Sequence, residues 1–554
     1  MIHERSVTNQ WYHSTVQELF YETCKERKKK TAIIFEGLRI SFAELQDNVH
    51  KLSQALINLG VKRDDHVVML PTSCPEFTYV YFAVLQIGAV INPLNLLWGE
   101  IELEGILPRN NPKVIITIDK NGDRDYVGLI KDSIPDLKIE NQNVSSKSIP
   151  ALTHLVSLSR TGDHYAGFLD FYRLMETGEG YDEKNILRLI QESSCTDIQF
   201  MCQTSGSTGL SKSALWNHRS PLSTAHFIIK TLVYSEDDSY LNMSPYYHNS
   251  GLAAMNTSLV LTGTTLYLME NFHPGAAVEI MQKHKPTVTF GFDAHFQALN
   301  MVLRKGDFDF TLTKAIAAIS PSTYELFVND ICRGKRFMVS NIYAQTENGP
   351  CVALVEPDCV SHQLRKYTNG RPLPGVELVI KHITTGEKLS DGQQGEICYK
   401  SPYLFSGYYK QEEETKKLYD EEGYLHSGDF GYLEGGYLHY LGRLGDVVKS
   451  GGENVSTSYV SGLLLRIFPD EFEDVTTLGL PDSYWGNRIV ACVRLKEGKS
   501  IRETEALKKE CKGKMADYEI PKAFIEWTEA WPMTEIGKID ITVLKQVIEK
   551  LDNN

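Results

Sequence analysis

Apolar positions along the first part of the chain recur at two alternating periods. After Ser41-Phe42-Ala43-Glu44, a serine and a glutamate spaced as a capping box, they fall at Leu45, Val49, Leu52, Leu56 and Leu59 and stop at Gly60. That spacing predicts an amphipathic helix closed by a glycine. His66-Val67-Val68-Met69-Leu70 predicts a short strand, followed by a helix and a second strand at Val90-Ile91-Asn92-Pro93. The longest apolar run, Tyr79 to Ile91, is too short to span a bilayer. It contains Gly88 and reads as a core helix ending near that glycine. Val114-Ile115-Ile116-Thr117-Ile118 is a further buried strand. Strands alternating with helices predict parallel sheets covered on both faces.

Residues 119–190 are polar and irregular and read as surface elaboration. From about residue 370, glycine-rich turns and short strands take over, as in Gly395–Tyr399, Gly407–Tyr409 and Gly435–Tyr440. They predict a compact barrel-like β subdomain. Beyond Gly442-Arg443-Leu444-Gly445 mixed helix and strand return, as expected of a small separate domain.

With 554 residues, 42% hydrophobic and 23% charged, the chain has the composition of a soluble globular protein of roughly two to four domains. Its net charge of −14 argues against a general nucleic-acid surface. Lys28-Lys29-Lys30 reads as a solvated helix face, so an anionic ligand would need a local positive pocket. Ten cysteines without C-x-x-C pairs and sixteen histidines without H-E-x-x-H spacing give neither a disulfide framework nor a zinc site. Met1-Ile2-His3-Glu4-Arg5 lacks an apolar signal region. A cytoplasmic location with reduced thiols is the expectation.

Such a positive pocket is offered by Thr204-Ser205-Gly206-Ser207-Thr208-Gly209-Leu210-Ser211-Lys212, with five hydroxyls, two glycines and a lysine in nine positions. Glycines let backbone N–H groups turn inward, hydroxyls donate, and the lysine adds a full charge, as a phosphate cradle requires. Gly206 to Ser213 is one residue from the P-loop pattern G-x-x-x-x-G-K-[ST]. A P-loop runs directly into a helix, whereas strands are predicted on both sides here, over 198–202 and 213–216, with a helix starting only at Ser220-Pro221. A strand–loop–strand hairpin is expected; an ordinary Ser/Gly surface turn is the bland alternative. In a nucleotide site, Glu347 of Tyr343-Ala344-Gln345-Thr346-Glu347 would hold Mg²⁺ and Thr346 would donate to a phosphate. Asp429, after the turn Gly423–Gly428, is suited to accepting both ribose hydroxyls, or is simply an aspartate in a hairpin.

Taken in order, these segments resemble the adenylate-forming superfamily of acyl-CoA synthetases, adenylation domains and luciferases, most of all a fatty-acid or related acyl-CoA ligase. The resemblance also covers Ser41–Leu45, Gly370-Arg371-Pro372-Leu373-Pro374-Gly375, Lys449–Val455 and Pro532–Lys538. It implies an α/β fold: a large N-terminal domain over 1–443, with two doubly wound α/β subdomains and a small β-barrel subdomain at about 370–443, then a small mobile α+β C-terminal domain over 444–554. It implies that Thr204, Ser205, Gly206, Ser207, Thr208, Gly209 and Lys212 grip the β- and γ-phosphates of ATP. Tyr343 would lie against adenine, Thr346 would touch the α-phosphate, and Glu347 with Thr204 would ligate Mg²⁺. Asp429 and Arg443 would bind ribose, and Lys538 would bridge the acyl carboxylate and the α-phosphate. After adenylation the small domain would rotate about Gly445, bringing Gly451 and Gly452 forward to line a channel for the thiol of coenzyme A.

The chain departs from the family pattern at several places. Gly445 stands where relatives usually carry Asp, Lys or Arg, and Ser211 and Ser213 replace a proline and a glycine, a change expected to be tolerable on an exposed hairpin. Ala344 replaces a glycine, and Ala318-Ile319-Ser320-Pro321 replaces a Gly-Gly-Ala-Pro segment that packs on adenine. Asp293 stands where proline is common; it reads as the N-cap of a helix from Ala294 to Leu303 or as a partner for a polar or cationic substrate group. His248 of Pro245–Gly251 would gate the acyl pocket, or be a structural histidine satisfied by backbone groups. The expected activity is an ATP-dependent acid–CoA ligase acting on a fatty or otherwise largely apolar acid. Loading of a carrier-protein pantetheine, another use of the adenylate, and a non-catalytic binding protein are the alternatives. Its partners would be the acid, ATP and coenzyme A, with no nucleic acid, no membrane span, and a homodimer left open.

Overall fold

The capping box forms reciprocally: Glu44 N–H donates to Ser41 Oγ at 3.2 Å and Ser41 N–H to the Glu44 carboxylate at 2.8 Å. The helix Phe42–Asn58 runs from it, with Leu45, Val49, Leu52 and Leu56 on its buried side. The computed structural model describes residues 10–204, 211–306, 308–332, 337–348, 351–356, 359–450, 453–482, 486–512, 514–533 and 539–552. Two compact units divide the chain, one of Met1–Val376 with Ser401–Lys417, the other of Glu377–Lys400 with Leu418–Asn554.

The first unit is built on two large, mainly parallel sheets. One has seven strands in the order Phe168–Asp170, His154–Leu158, Val114–Ile118, His66–Leu70, Val90–Pro93, Ile198–Gln203, Ser213–Asn217; all neighbours are parallel except the last pair. Val114–Ile118 is buried at every position, as a strand covered on both faces must be. The helix Pro75–Ile87 is buried all round and stops at Gly88, whose φ of 78° is the left-handed cap conformation. The other sheet has nine strands, with a parallel centre of Thr31–Phe35, Leu266–Leu268, Tyr240–Leu241, Val288–Phe292, Lys314–Ala318 and Met338–Tyr343. Helices Pro274–His284 and Asp293–Leu303 pack on it through Val278, Met281, Phe296 and Leu299.

Three expectations need correction. Residues 119–190 are more than surface elaboration, because His154–Leu158 is buried sheet, parallel to Val114–Ile118. Its apolar core is too short to show a period against the polar residues around it. The helix after the hairpin is Arg219–Thr231, with His218 at its N-cap. Ser220 therefore lies inside the first turn and donates to Tyr403 O at 3.2 Å. The β-rich region is a four-stranded antiparallel sheet, Glu377–Lys381, Gly395–Lys400, Leu425–Glu434 and Tyr437–Arg443, paired in linear order among the described residues.

The C-terminal part of the second unit is a five-stranded sheet with both faces covered. Along Gly486–Leu495, Ile489, Ala491 and Val493 face a core with Val460, Leu464 and Leu507. Val490 and Cys492 face Leu544 and Ile548 of the helix Ile541–Asp552, the period-two alternation of a strand between two layers.

Gly370 opens the Gly370–Gly375 motif at φ +80°, and a Cβ there would meet the Leu354 backbone carbon at 1.9 Å. Gly370→Ala should cost on the order of 3 kcal/mol or more from the left-handed backbone and the overlap together. A melting temperature equal to wild type in differential scanning calorimetry would contradict the close approach.

Candidate active site

The hairpin closes with Thr204 and Lys212 side by side. Thr204 N–H donates to Lys212 O at 2.9 Å and Lys212 N–H to Thr204 Oγ1 at 3.3 Å, while Ser211 Oγ donates to Thr204 O. A strand follows the loop where a P-loop needs a helix, so that reading is excluded. Ser205, Gly206, Ser207, Thr208 and Gly209 lie outside the described residues, as do Gly451, Gly452 and Lys538. Ser213, expected on an exposed hairpin, is 1% exposed. Its hydroxyl reaches Asn110 Oδ1 at 2.9 Å and Gln203 Oε1 at 3.1 Å, and Gln203 donates onward to Asn92 Oδ1 at 2.8 Å. The departure from glycine is thus absorbed by a buried polar chain.

Lys212 lies over the ring of Tyr408, its Nζ 4.9 Å from the centroid, and pairs with Glu414 at 3.1 Å. The Tyr408 hydroxyl donates to Glu347 Oε1 at 2.6 Å. Glu347 sits in the short turn Thr346–Asn348 after the strand Met338–Tyr343. That turn is held from two sides: Trp216 Nε1 of the hairpin donates to Thr346 O at 2.8 Å, and Phe405 N–H to Glu347 O at 2.9 Å. The structure therefore joins Thr204, Lys212, Thr346 and Glu347 through Tyr408 and Trp216. Neither aromatic was singled out in the sequence. Tyr408 follows a glycine in a β-like stretch, and nothing local marks its partner 61 residues away.

The pairing of Lys212 with Glu414 is half-exposed on both sides, and pairs of that kind hold weakly. An anion can take the place of Glu414. The donor set also suits Mg²⁺, which takes one or two carboxylates and fills its shell with phosphate and water oxygens. Glu347 offers a carboxylate with one oxygen fixed by Tyr408, and Thr204 offers a hydroxyl.

Asp429 and Arg443 are cross-strand partners in the four-stranded sheet, with Arg443 Nε 3.0 Å from Asp429 Oδ1. Asp429 is nearly buried and Arg443 half-exposed. Behind them, Glu396 braces the strand Leu425–Glu434 at its irregularity: one oxygen accepts Gly428 N–H at 3.0 Å, and the other lies 2.7 Å from His426 Nδ1. Glu396, Cys398 and His426 come together as three metal-ligand types. Their side chains are committed to holding this part of the strand, with Asp420 and its partner Lys381 on the far side of His426.

His248 is the N-cap of the helix Asn249–Met255, its Nδ1 accepting Ser250 N–H at 3.2 Å, which is the structural role the sequence left open. Its ring stands edge-on to Phe292 with part of its surface exposed, and desolvation by the surrounding protein lowers its pKa to about 4. A neutral ring is also what acceptance at Nδ1 requires. Tyr343 is buried at the end of its strand. Asp293, in contrast, is not the cap. Phe292 is the N-cap, with its N–H satisfied by His295 Nδ1 at 3.2 Å, and Asp293 is the first helical residue. Its Oδ1 accepts from Ser320 N–H at 2.9 Å and from Ser320 Oγ at 2.7 Å. Two departures from the family pattern therefore meet each other.

Comparison with known proteins agrees with this architecture. Residues 20–409 match the family described as AMP-binding enzyme, and residues 470–538 match the AMP-binding enzyme C-terminal domain. The chain belongs to the AMP-binding enzyme family. It is 26% identical over 557 residues to the mitochondrial medium-chain acyl-CoA ligase ACSF2 of Rattus norvegicus, covering 97% of this chain and 88% of that one. It is also 26% identical over 545 residues to a long-chain-fatty-acid–CoA ligase of Bacillus subtilis (strain 168), covering 95% and 93%. Two solved structures share the fold. ATP-bound MatB from Rhodopseudomonas palustris has a TM-score of 0.78 at 22% identity, covering 97% of this chain and 99% of that one. The anthranilate CoA ligase AuaEII with anthranoyl-AMP has a TM-score of 0.79 at 20% identity, covering 97% of each chain. Among the described residues no helix is long and apolar enough to cross a membrane.

Asp293→Ala strips an acceptor from two part-buried donors of Ser320 and should cost about 1–3 kcal/mol. It should appear as a lower melting temperature that Asp293→Asn partly restores. Wild-type melting of Asp293→Ala would show that the brace carries no stability.

Proposed function

We propose that this chain activates a carboxylic acid with ATP as an acyl adenylate and passes the acyl group to coenzyme A, giving acyl-CoA, AMP and pyrophosphate. The observation that carries the reading is the chain of contacts from Lys212 through Tyr408 to Glu347, in a member of the AMP-binding enzyme family. In the first half-reaction an oxygen of the acid attacks the α-phosphorus and the bond to pyrophosphate breaks. In the second, the thiol sulfur attacks the acyl carbonyl and AMP departs.

Both steps need positioning and charge stabilisation more than proton transfer. Lys212 with the Thr204–Gly209 loop takes the β- and γ-phosphates, and Thr346 meets the α-phosphate. Glu347 and Thr204 hold Mg²⁺, which when bound neutralises charge on the phosphate oxygens. Tyr343 lies against adenine, and Asp429 with Arg443 takes the ribose. Lys538 spans the acid and the α-phosphate, and Gly451 and Gly452 border the path of the thiol. His248 borders the acid as a neutral, helix-capping ring. The named relatives support an aliphatic acid. The domain boundary falls between residues 443 and 444, with the pivot at Gly445. We place the reaction in the cytoplasm, with small molecules as the partners.

Acid-dependent pyrophosphate release tests the reading directly, and Lys538→Ala should slow it roughly 100- to 1,000-fold, as loss of one transition-state donor does. An undiminished rate would overturn the role of Lys538. Gly445 is exposed, and a Cβ there meets nothing within 4 Å, so substitution is not blocked by packing. Gly445→Pro should leave adenylate formation within about threefold of wild type and slow thioester formation at least about tenfold. Equal loss in both half-reactions would rule out Gly445 as the pivot.

A further inference from the structure

Glu396 and Cys398 stand two residues apart on the strand Gly395–Lys400, and so on one face of it. Cys398 pairs across the sheet with His426, whereas Glu396 pairs with Phe430. On that side Ser427, Gly428 and Asp429 therefore stand against Ile397 alone, an irregularity that bends the strand locally. The bend gathers three side chains of different chemistry. A carboxylate oxygen of Glu396, Cys398 Sγ and a ring nitrogen of His426 all lie within 4.8 Å of one another.

These contacts brace the strand through protons, and their spacing also suits an ion. Zinc binds a thiolate at about 2.3 Å and an imidazole or carboxylate at about 2.0–2.2 Å. At the tetrahedral angle those lengths put nitrogen and sulfur about 3.6 Å apart and nitrogen and oxygen about 3.4 Å apart. Cys398 Sγ lies 3.6 Å from His426 Nδ1, and Glu396 Oε2 lies 2.7 Å from the same nitrogen. The first pair needs no adjustment, and the second opens by about 0.7 Å as an ion takes the place of the shared proton. The other ring nitrogen supplies an independent sign. His426 Nε2 lies 3.4 Å from Asp420 Oδ2, and Lys381 holds Asp420 in turn. A carboxylate on the far nitrogen is how proteins orient a coordinating histidine.

We infer that Glu396 Oε2, Cys398 Sγ and His426 Nδ1 form a binding site for a zinc-class divalent cation, which clamps the strand Gly395–Lys400 to the irregular stretch before Asp429. Two protons leave as the ion enters, one from the thiol and one that Nδ1 shares with Glu396, so the local charge is unchanged. Burial, and after it the Glu396 carboxylate, otherwise holds the Cys398 thiol protonated; a coordinated cation removes that proton outright. Thiolate and imidazole select zinc, whereas magnesium takes oxygen ligands. The site therefore does not compete for the Mg²⁺ proposed at Glu347. Three protein ligands leave a fourth position for water. The side chains of His426 and Glu396 are 30% and 12% exposed, so an ion reaches them from solvent. All the residues belong to the second unit, and the inference stands apart from the ligase reading.

The experiment titrates the full chain, stripped of metal by a chelator, with Co²⁺, which takes zinc sites and reports a thiolate ligand as a sulfur-to-cobalt charge-transfer band in the near ultraviolet. One equivalent should produce the band, excess Mg²⁺ should leave it in place, and one equivalent of Zn²⁺ should abolish it. Cys398→Ser should lose the band. Asp420→Asn, which removes only the outer carboxylate charge, should keep the band with affinity weakened about 10- to 100-fold. No band in wild type overturns the inference, as does a band that survives Cys398→Ser. Should Cys398→Ser fail to fold, His426→Gln at the more exposed ligand decides: it should weaken binding at least as much as Asp420→Asn, and wild-type affinity in it overturns the inference.

Discussion

The hydrogen bond from the Tyr408 hydroxyl to Glu347 is the contact on which the rest of the site depends. At 2.6 Å, between a phenol and a carboxylate, it is a charge-assisted bond of the stronger kind. The same ring lies under Lys212, so one side chain sets the separation between an anion and a cation that stand far apart in the sequence. Trp216 adds a second tie between the hairpin and the glutamate turn, but it ends on the backbone oxygen of Thr346 and leaves the carboxylate free to swing. A carboxylate held beside an ammonium, with both partly open to solvent, is suited to a metal-bound polyphosphate and poorly suited to a core.

Two departures from the family pattern follow a common physical rule. Each introduces a polar group where relatives have glycine or proline, and each of these groups has found a partner. Ser213 is taken up by Asn110 and Gln203, and Asp293 by Ser320. Buried polar atoms are costly when unpaired, so substitutions of this kind are stable in pairs.

Much of this was legible in the chain itself, because it depends on local chemistry. The Ser41–Glu44 capping box, the stop at Gly88 and the hairpin flanking the glycine-rich loop follow from spacing and propensity alone. Glu347 was expected just after a strand and stands there, in the turn Thr346–Asn348, whereas Asp429, expected after a tight turn, lies inside the strand Leu425–Glu434. What was not legible depends on long-range contact. His154–Leu158 becomes core only because Val114–Ile118 pairs with it. Asp293 looks like a cap until Ser320, 27 residues on, claims its carboxylate. Tyr408 has no local signal at all.

Glu347 and Tyr408 are proposed to act together on the phosphates of ATP. Acid-dependent exchange of labelled pyrophosphate into ATP isolates that step from thioester formation. Glu347→Gln should lower the exchange rate by roughly 100-fold or more, and Tyr408→Phe, which frees the carboxylate without removing it, by about tenfold. Exchange at the wild-type rate in Glu347→Gln would contradict the account.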